Sequence, residues 1–142
     1  MREDRVMKRK AIWAVFVGGV IVVVGVLWQA FSIAAYIRGA GEGALDAHAG
    51  GAGFVHIGQL AIIIGALIAY WGNWRQVGYA VGFLVVSVAQ LAFLGDPDKQ
   101  GDWINGLHGL LAMVILISGV LYAQKAWREL RPTASPGVAG SA

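Results

Sequence analysis

The sequence predicts an all-α integral membrane protein, a bundle of four transmembrane helices running up-down-up-down. Three observations carry this expectation. Of 142 residues, 58% are hydrophobic and only 13% charged, whereas soluble domains are about a quarter charged. The apolar residues gather into four stretches, each near the roughly 20 residues that cross hydrocarbon. Lys and Arg collect on one side of a four-span arrangement, as they do in the short loops of multi-pass proteins.

The elements follow in order. Residues 1–10, "MREDRVMKRK", form a basic head. The first span, about 11–37, is "AIWAVFVGGVIVVVGVLWQAFSIAAYI", broken only by Gln29 and Ser32. A cleaved signal peptide shares the basic start, but its apolar core runs to about 7–15 residues, so this segment reads as an uncleaved helix. "RGAGEGALDAHAGGAG", from Arg38 to Gly53, reads as a Gly/Ala-rich connection carrying Glu42, Asp46 and His48. The second span, about 53–72, opens with "FVHIGQLAIIIGALIAYW". Gly51, Gly58, Gly65 and Gly72 recur every seven residues, a stripe that lets a neighbouring helix approach closely. The third span, about 77–95, begins with the G-x-x-x-G of Gly78 and Gly82, a candidate dimer face, and contains Gln90. "DPDKQGD" then makes an acidic turn. The fourth span, about 103–124, is "DWINGLHGLLAMVILISGVLYA". Residues 127–142 close the chain as a tail whose Pro, Ser and small residues build no core and predict disorder.

Charge orients the bundle. Arg2, Arg5, Lys8, Arg9, Lys10, Arg75, Lys125, Arg128 and Arg131 fall on one side, against Arg38 and Lys99 among Glu42, Asp46, Asp96, Asp98 and Asp102 on the other. Both termini are therefore expected in the cytoplasm, with the chain in a bacterial plasma membrane. The six tryptophans lie mostly near span ends, as an interfacial belt would. Absence of cysteine excludes disulfides, thiolate metal sites and iron–sulfur ligation, leaving three histidines as the strong metal ligands. Nothing supports nucleic-acid binding. Spans without Asp, Glu, Lys or Arg argue against a transporter or channel.

The polar residues of the spans converge on one leaflet. At about 1.5 Å per residue, His56 and His108 are each expected roughly 5–8 Å below the outer interface, at a shared depth. Gln59 follows His56 by one turn, Gln90 comes to a similar level, and Gln29 lies somewhat deeper. Two imidazoles at equal depth on facing helices meet the need of a haem iron for one nitrogen on each axial side. Gly58 and Gly109 would thin the walls for the macrocycle. Arg38, Lys99, Tyr36 or Trp103 would meet its propionates. The competing reading is interhelical hydrogen-bonding, each bond worth about 0.5–2 kcal/mol, holding four helices in register without a cofactor. Quinone or proton handling is a third use. His48 reads as a solvated loop histidine, but becomes the rival ligand to His56 if the second helix begins earlier.

The order "VHIGQL" on the second span, "SVAQLAFLG" closing the third and "INGLHGLLA" opening the fourth resembles one half of the haem A synthase fold. That fold's halves are cytochrome b-like four-helix bundles with histidines on the second and fourth helices. The chain is also similar to small bacterial four-helix membrane proteins of unknown function with a D-x-H before the second span. The resemblance covers about residues 11–126 and implies haem b, with His56 and His108 as axial ligands and Gln90 beside the porphyrin. It also implies no synthase activity: the family's glutamate three residues before the second-helix histidine is Gly53 here, and the loop cysteines of some members are absent. The expectation is a haem-binding membrane protein for electron transfer or haem handling, as a homodimer or within a larger respiratory or redox complex. The alternative is a cofactor-free accessory subunit whose His/Gln layer only fixes packing.

Overall fold

The computed structural model describes residues 2–93 and 105–131. They form four helices: α1 (Arg2–Ile37), α2 (Glu42–Ala69), α3 (Trp74–Ala92) and α4 (Asn105–Leu130). All four are long and apolar enough to cross a membrane. Their outward side chains, among them Val24, Leu27, Phe31, Ile57, Ile64, Val85, Val88, Ile117 and Leu121, are exposed. Such a surface is stable against lipid and not against water, so the protein is a membrane-embedded four-helix bundle.

Helix boundaries depart from the expected spans in three places. The basic head is not a separate segment: α1 starts at Arg2 and runs 36 residues. At about 1.5 Å per residue it exceeds the roughly 30 Å of hydrocarbon, so its charged first turns project beyond it. Residues 127–130, assigned to the tail, continue α4. The largest change is in α2, which starts at Glu42 rather than near residue 53. The Gly/Ala-rich segment is helical because α1 supports it: Gly51 is buried against Trp28 and Gln29, and the Trp28 indole donates to the Ala47 carbonyl (3.2 Å). Tertiary packing overrides the low helix propensity of glycine here.

The α1–α2 turn is correspondingly short. Gly39 takes φ 92°, while its N–H bonds the Tyr36 carbonyl and that of Ala40 the Ala35 carbonyl. This is a Schellman ending with glycine at the left-handed position. At the opposite end Gly72, φ 86°, makes the α2–α3 turn, and the Asn73 side chain caps α3 by accepting from the Gln76 N–H.

α1 and α3 each pack on α2 and α4, so the ring order is α1, α2, α3, α4, and α2 stands diagonally across from α4. α1 carries two buried seams. Ala11, Val15, Gly18, Val22 and Gly25 make one, and Ile12, Gly19 and Val26 the other. The expected glycine stripe of α2 meets the first seam: Gly65 faces the Ala11 carbonyl, Gly58 that of Gly18, and Gly51 the Trp28 ring. The second seam receives α4, where Gly119 packs on Val22 and the Gly19 carbonyl. The G-x-x-x-G of α3 has no such partner. Nothing lies within 4 Å of a Cβ built on Gly78 or Gly82.

Candidate functional site

The buried polar side chains are Ser32 on α1, Gln59 on α2, and Ser87 and Gln90 on α3. All three histidines are half-buried. His48, His108, Ser32, Ser87 and Gln90 lie in the half of the bundle that contains the α1–α2 turn, whereas His56 and Gln59 lie at or past the midpoint of α2 (Glu42–Ala69), deeper than the single layer expected from the sequence.

Their register differs from the expected one. Val22 of α1 touches the sites of both Gly58 and Gly119, which fixes those two glycines at one level. α2 and α4 both run away from the turn end. His56 lies two residues before Gly58, whereas His108 lies eleven before Gly119. The nine-residue difference puts His108 nearer the turn end than His56 by on the order of 10 Å. The shared depth expected for this pair does not hold. His48, ten residues before Gly58, matches His108 to within about one helical turn. The early start of α2 makes the difference, because it turns a loop residue into a helical one.

Each imidazole is anchored through Nδ1. His48 Nδ1 donates to the main-chain oxygen of Gln29 on α1 (2.9 Å). His108 Nδ1 donates to that of Gln90 on α3 (3.3 Å). A carbonyl oxygen only accepts, so in both rings Nδ1 carries the proton and a neutral imidazole keeps its lone pair on Nε2. That nitrogen has no partner among the described residues for either ring. Gln29 completes a reciprocal clamp, its Nε2 donating to the His48 carbonyl (3.3 Å). His56 bonds within its own helix, Nδ1 to Gln59 Oε1 (2.8 Å). Gln59 is 2% exposed, and its Nε2 has no partner among the described residues.

His48 and His108, on diagonal helices at matched depth, each held by a main-chain oxygen and with Nε2 unpartnered among the described residues, are the side chains that could hold a metal-centred cofactor here. Metal-bound histidines commonly fix their second nitrogen in this way. Haem iron is held by one or two protein side chains, so the lack of any cluster of three or more His, Asp or Glu among the described residues does not bear on it. The flanking glycines divide. Gly109 is exposed on the outer surface of the bundle, where a Cβ would meet nothing within 4 Å, whereas the space beside Gly58 is filled by Gly18, Ile21 and Val22. Gly58 therefore serves the α1–α2 contact. Arg38 is exposed at the end of α1, and Tyr36 half-buried beside it. Lys99 and Trp103, also expected near the propionates, lie outside the described residues.

Sequence reasoning missed Gln29 as a partner of His48, since the pairing appears only once α2 is extended back to Glu42. It also missed the buried tyrosines near the other end, Tyr70, whose hydroxyl lies close to Glu129, and Tyr122, whose hydroxyl has no hydrogen-bond partner among the described residues. Comparison with protein-family models, with curated proteins and with solved structures finds no match.

Proposed function

We propose that the protein binds haem b between α2 and α4, near the α1–α2 turn, as an electron-transfer or haem-handling subunit of a bacterial plasma membrane. His108 would be one of the two residues holding it. Of the two α2 histidines, His48 is the second, because it lies at His108's depth and His56 does not. The observation that carries the reading is the pair of Nδ1–H bonds to the Gln29 and Gln90 main-chain oxygens, which leaves both Nε2 atoms free. Bound there, the group would supply one-electron chemistry. Gln29 and Gln90 orient the rings, Ser32 and Gln90 supply polar groups to the same layer, and Arg38 meets the propionates. No catalytic step is assigned to the chain. The excess of Lys and Arg at the end bearing the termini favours a cytoplasmic placement of that end.

One set of contacts favours a second reading. His48 ties α2 to α1, His108 ties α4 to α3, and Gln29 and Trp28 tie α1 to α2. These bonds also suit a cofactor-free accessory subunit whose polar layer holds the helices in register. Titration of the purified protein with haem separates the two. A stoichiometric, reducible absorption spectrum supports the first, and a protein that stays colourless supports the second.

A further inference from the structure

At the end of the bundle that bears the termini, the first turns of α1 and the last turn of α4 enclose a groove of about 450 Å³. It is lined by Arg5, Lys8, Arg9, Ile12, Glu129, Leu130 and Arg131. The α1 residues fall at i, i+3, i+4 and i+7, which places them on one helix face. Ile12 is buried and forms, with half-buried Leu130, the apolar part of the lining. Four cations and one carboxylate make up the rest. That carboxylate is already engaged: Glu129 pairs with Lys125 at 2.6 Å.

The groove sits where the chain changes solvent. The apolar run of α1 starts at Ala11, and that of α4 ends at Ala123, so the cations stand at the level of the lipid headgroups just beyond the hydrocarbon. A concave site with an apolar side and four cations at this depth matches one chemistry, the phosphate and upper acyl carbons of a membrane lipid. The charge sign selects a lipid with net negative charge over a zwitterionic one. We infer that this α1–α4 groove is a binding site for an anionic phospholipid, held by Arg5, Lys8, Arg9 and Arg131. It is independent of the histidine layer at the other end.

The test uses the full chain in neutral detergent, with lipid retention read by native mass spectrometry and by thermal unfolding against added lipid. Phosphatidylglycerol is expected to stay bound and raise the unfolding temperature, and phosphatidylcholine and inorganic phosphate to do neither at equal concentration. Each cation near a charged headgroup is worth roughly fivefold in affinity. The Arg5→Gln/Lys8→Gln/Arg9→Gln variant, exposed positions whose replacement keeps the helix, is expected to bind at least about tenfold more weakly. Glu129→Gln, which removes the one carboxylate and frees Lys125, is expected to bind more tightly. Equal retention of phosphatidylglycerol and phosphatidylcholine, equal protection by inorganic phosphate, or undiminished binding in the triple variant each overturns the assignment.

Discussion

Gly18 on α1 and Gly58 on α2 meet backbone to backbone. A Cβ on Gly18 would lie 2.7 Å from the Gly58 carbonyl oxygen, and one on Gly58 2.8 Å from that of Gly18. Neither oxygen can rotate away as a side chain would. Gly18→Ala and Gly58→Ala are therefore expected to push the helices apart and cost about 1–3 kcal/mol each. Gly78→Ala and Gly109→Ala, with nothing within 4 Å, are expected to gain about 0.5–1 kcal/mol from helix propensity. Unfolding in mixed micelles followed by circular dichroism measures all four. A loss of stability in Gly78→Ala would show that the α3 glycines are spent on a contact between copies of the chain.

Half-buried His56 and buried Gln59 form a polar pair in which both N–H groups of the Gln59 amide stay unpartnered among the described residues. His56→Leu alone strands both polar atoms of Gln59 and is expected to destabilise by about 1–3 kcal/mol. His56→Leu combined with Gln59→Leu removes the whole pair and is expected to cost less than the single substitution. A double variant less stable than His56→Leu would contradict this account of the pair.

The fold was legible in the sequence because membrane spans announce themselves by length and apolarity, and the glycine heptad at Gly51, Gly58 and Gly65 named the face on which α2 meets α1. Of the candidate site, His108 and Gln90 were singled out from their places near span ends, and the structure brings them together through the Gln90 main-chain oxygen rather than its side chain. The choice between His48 and His56 was not readable from residue types. It depends on where α2 begins, and that start is set by contacts with Trp28 and Gln29, nearly twenty residues away in sequence. Register between α2 and α4 likewise passes through a third helix, at Val22, and no local pattern encodes it.

Orientation has a direct test in a chain that has no cysteine of its own. Ala40→Cys, in the exposed α1–α2 turn, is expected to react with a membrane-impermeant maleimide on intact spheroplasts. Glu3→Cys, exposed on the first turn of α1, is expected to react only after permeabilisation. The opposite pattern would invert the bundle and place the anionic-lipid groove on the outer leaflet.

The most direct test of the central claim is the reduced-minus-oxidised absorption spectrum of the purified, haem-supplied protein and three histidine variants. The account predicts a b-type spectrum in the unsubstituted protein, retained in His56→Ala and lost or strongly weakened in both His48→Ala and His108→Ala. A colourless protein would contradict haem binding altogether, and a spectrum lost in His56→Ala but kept in His48→Ala would contradict the pairing of His48 with His108.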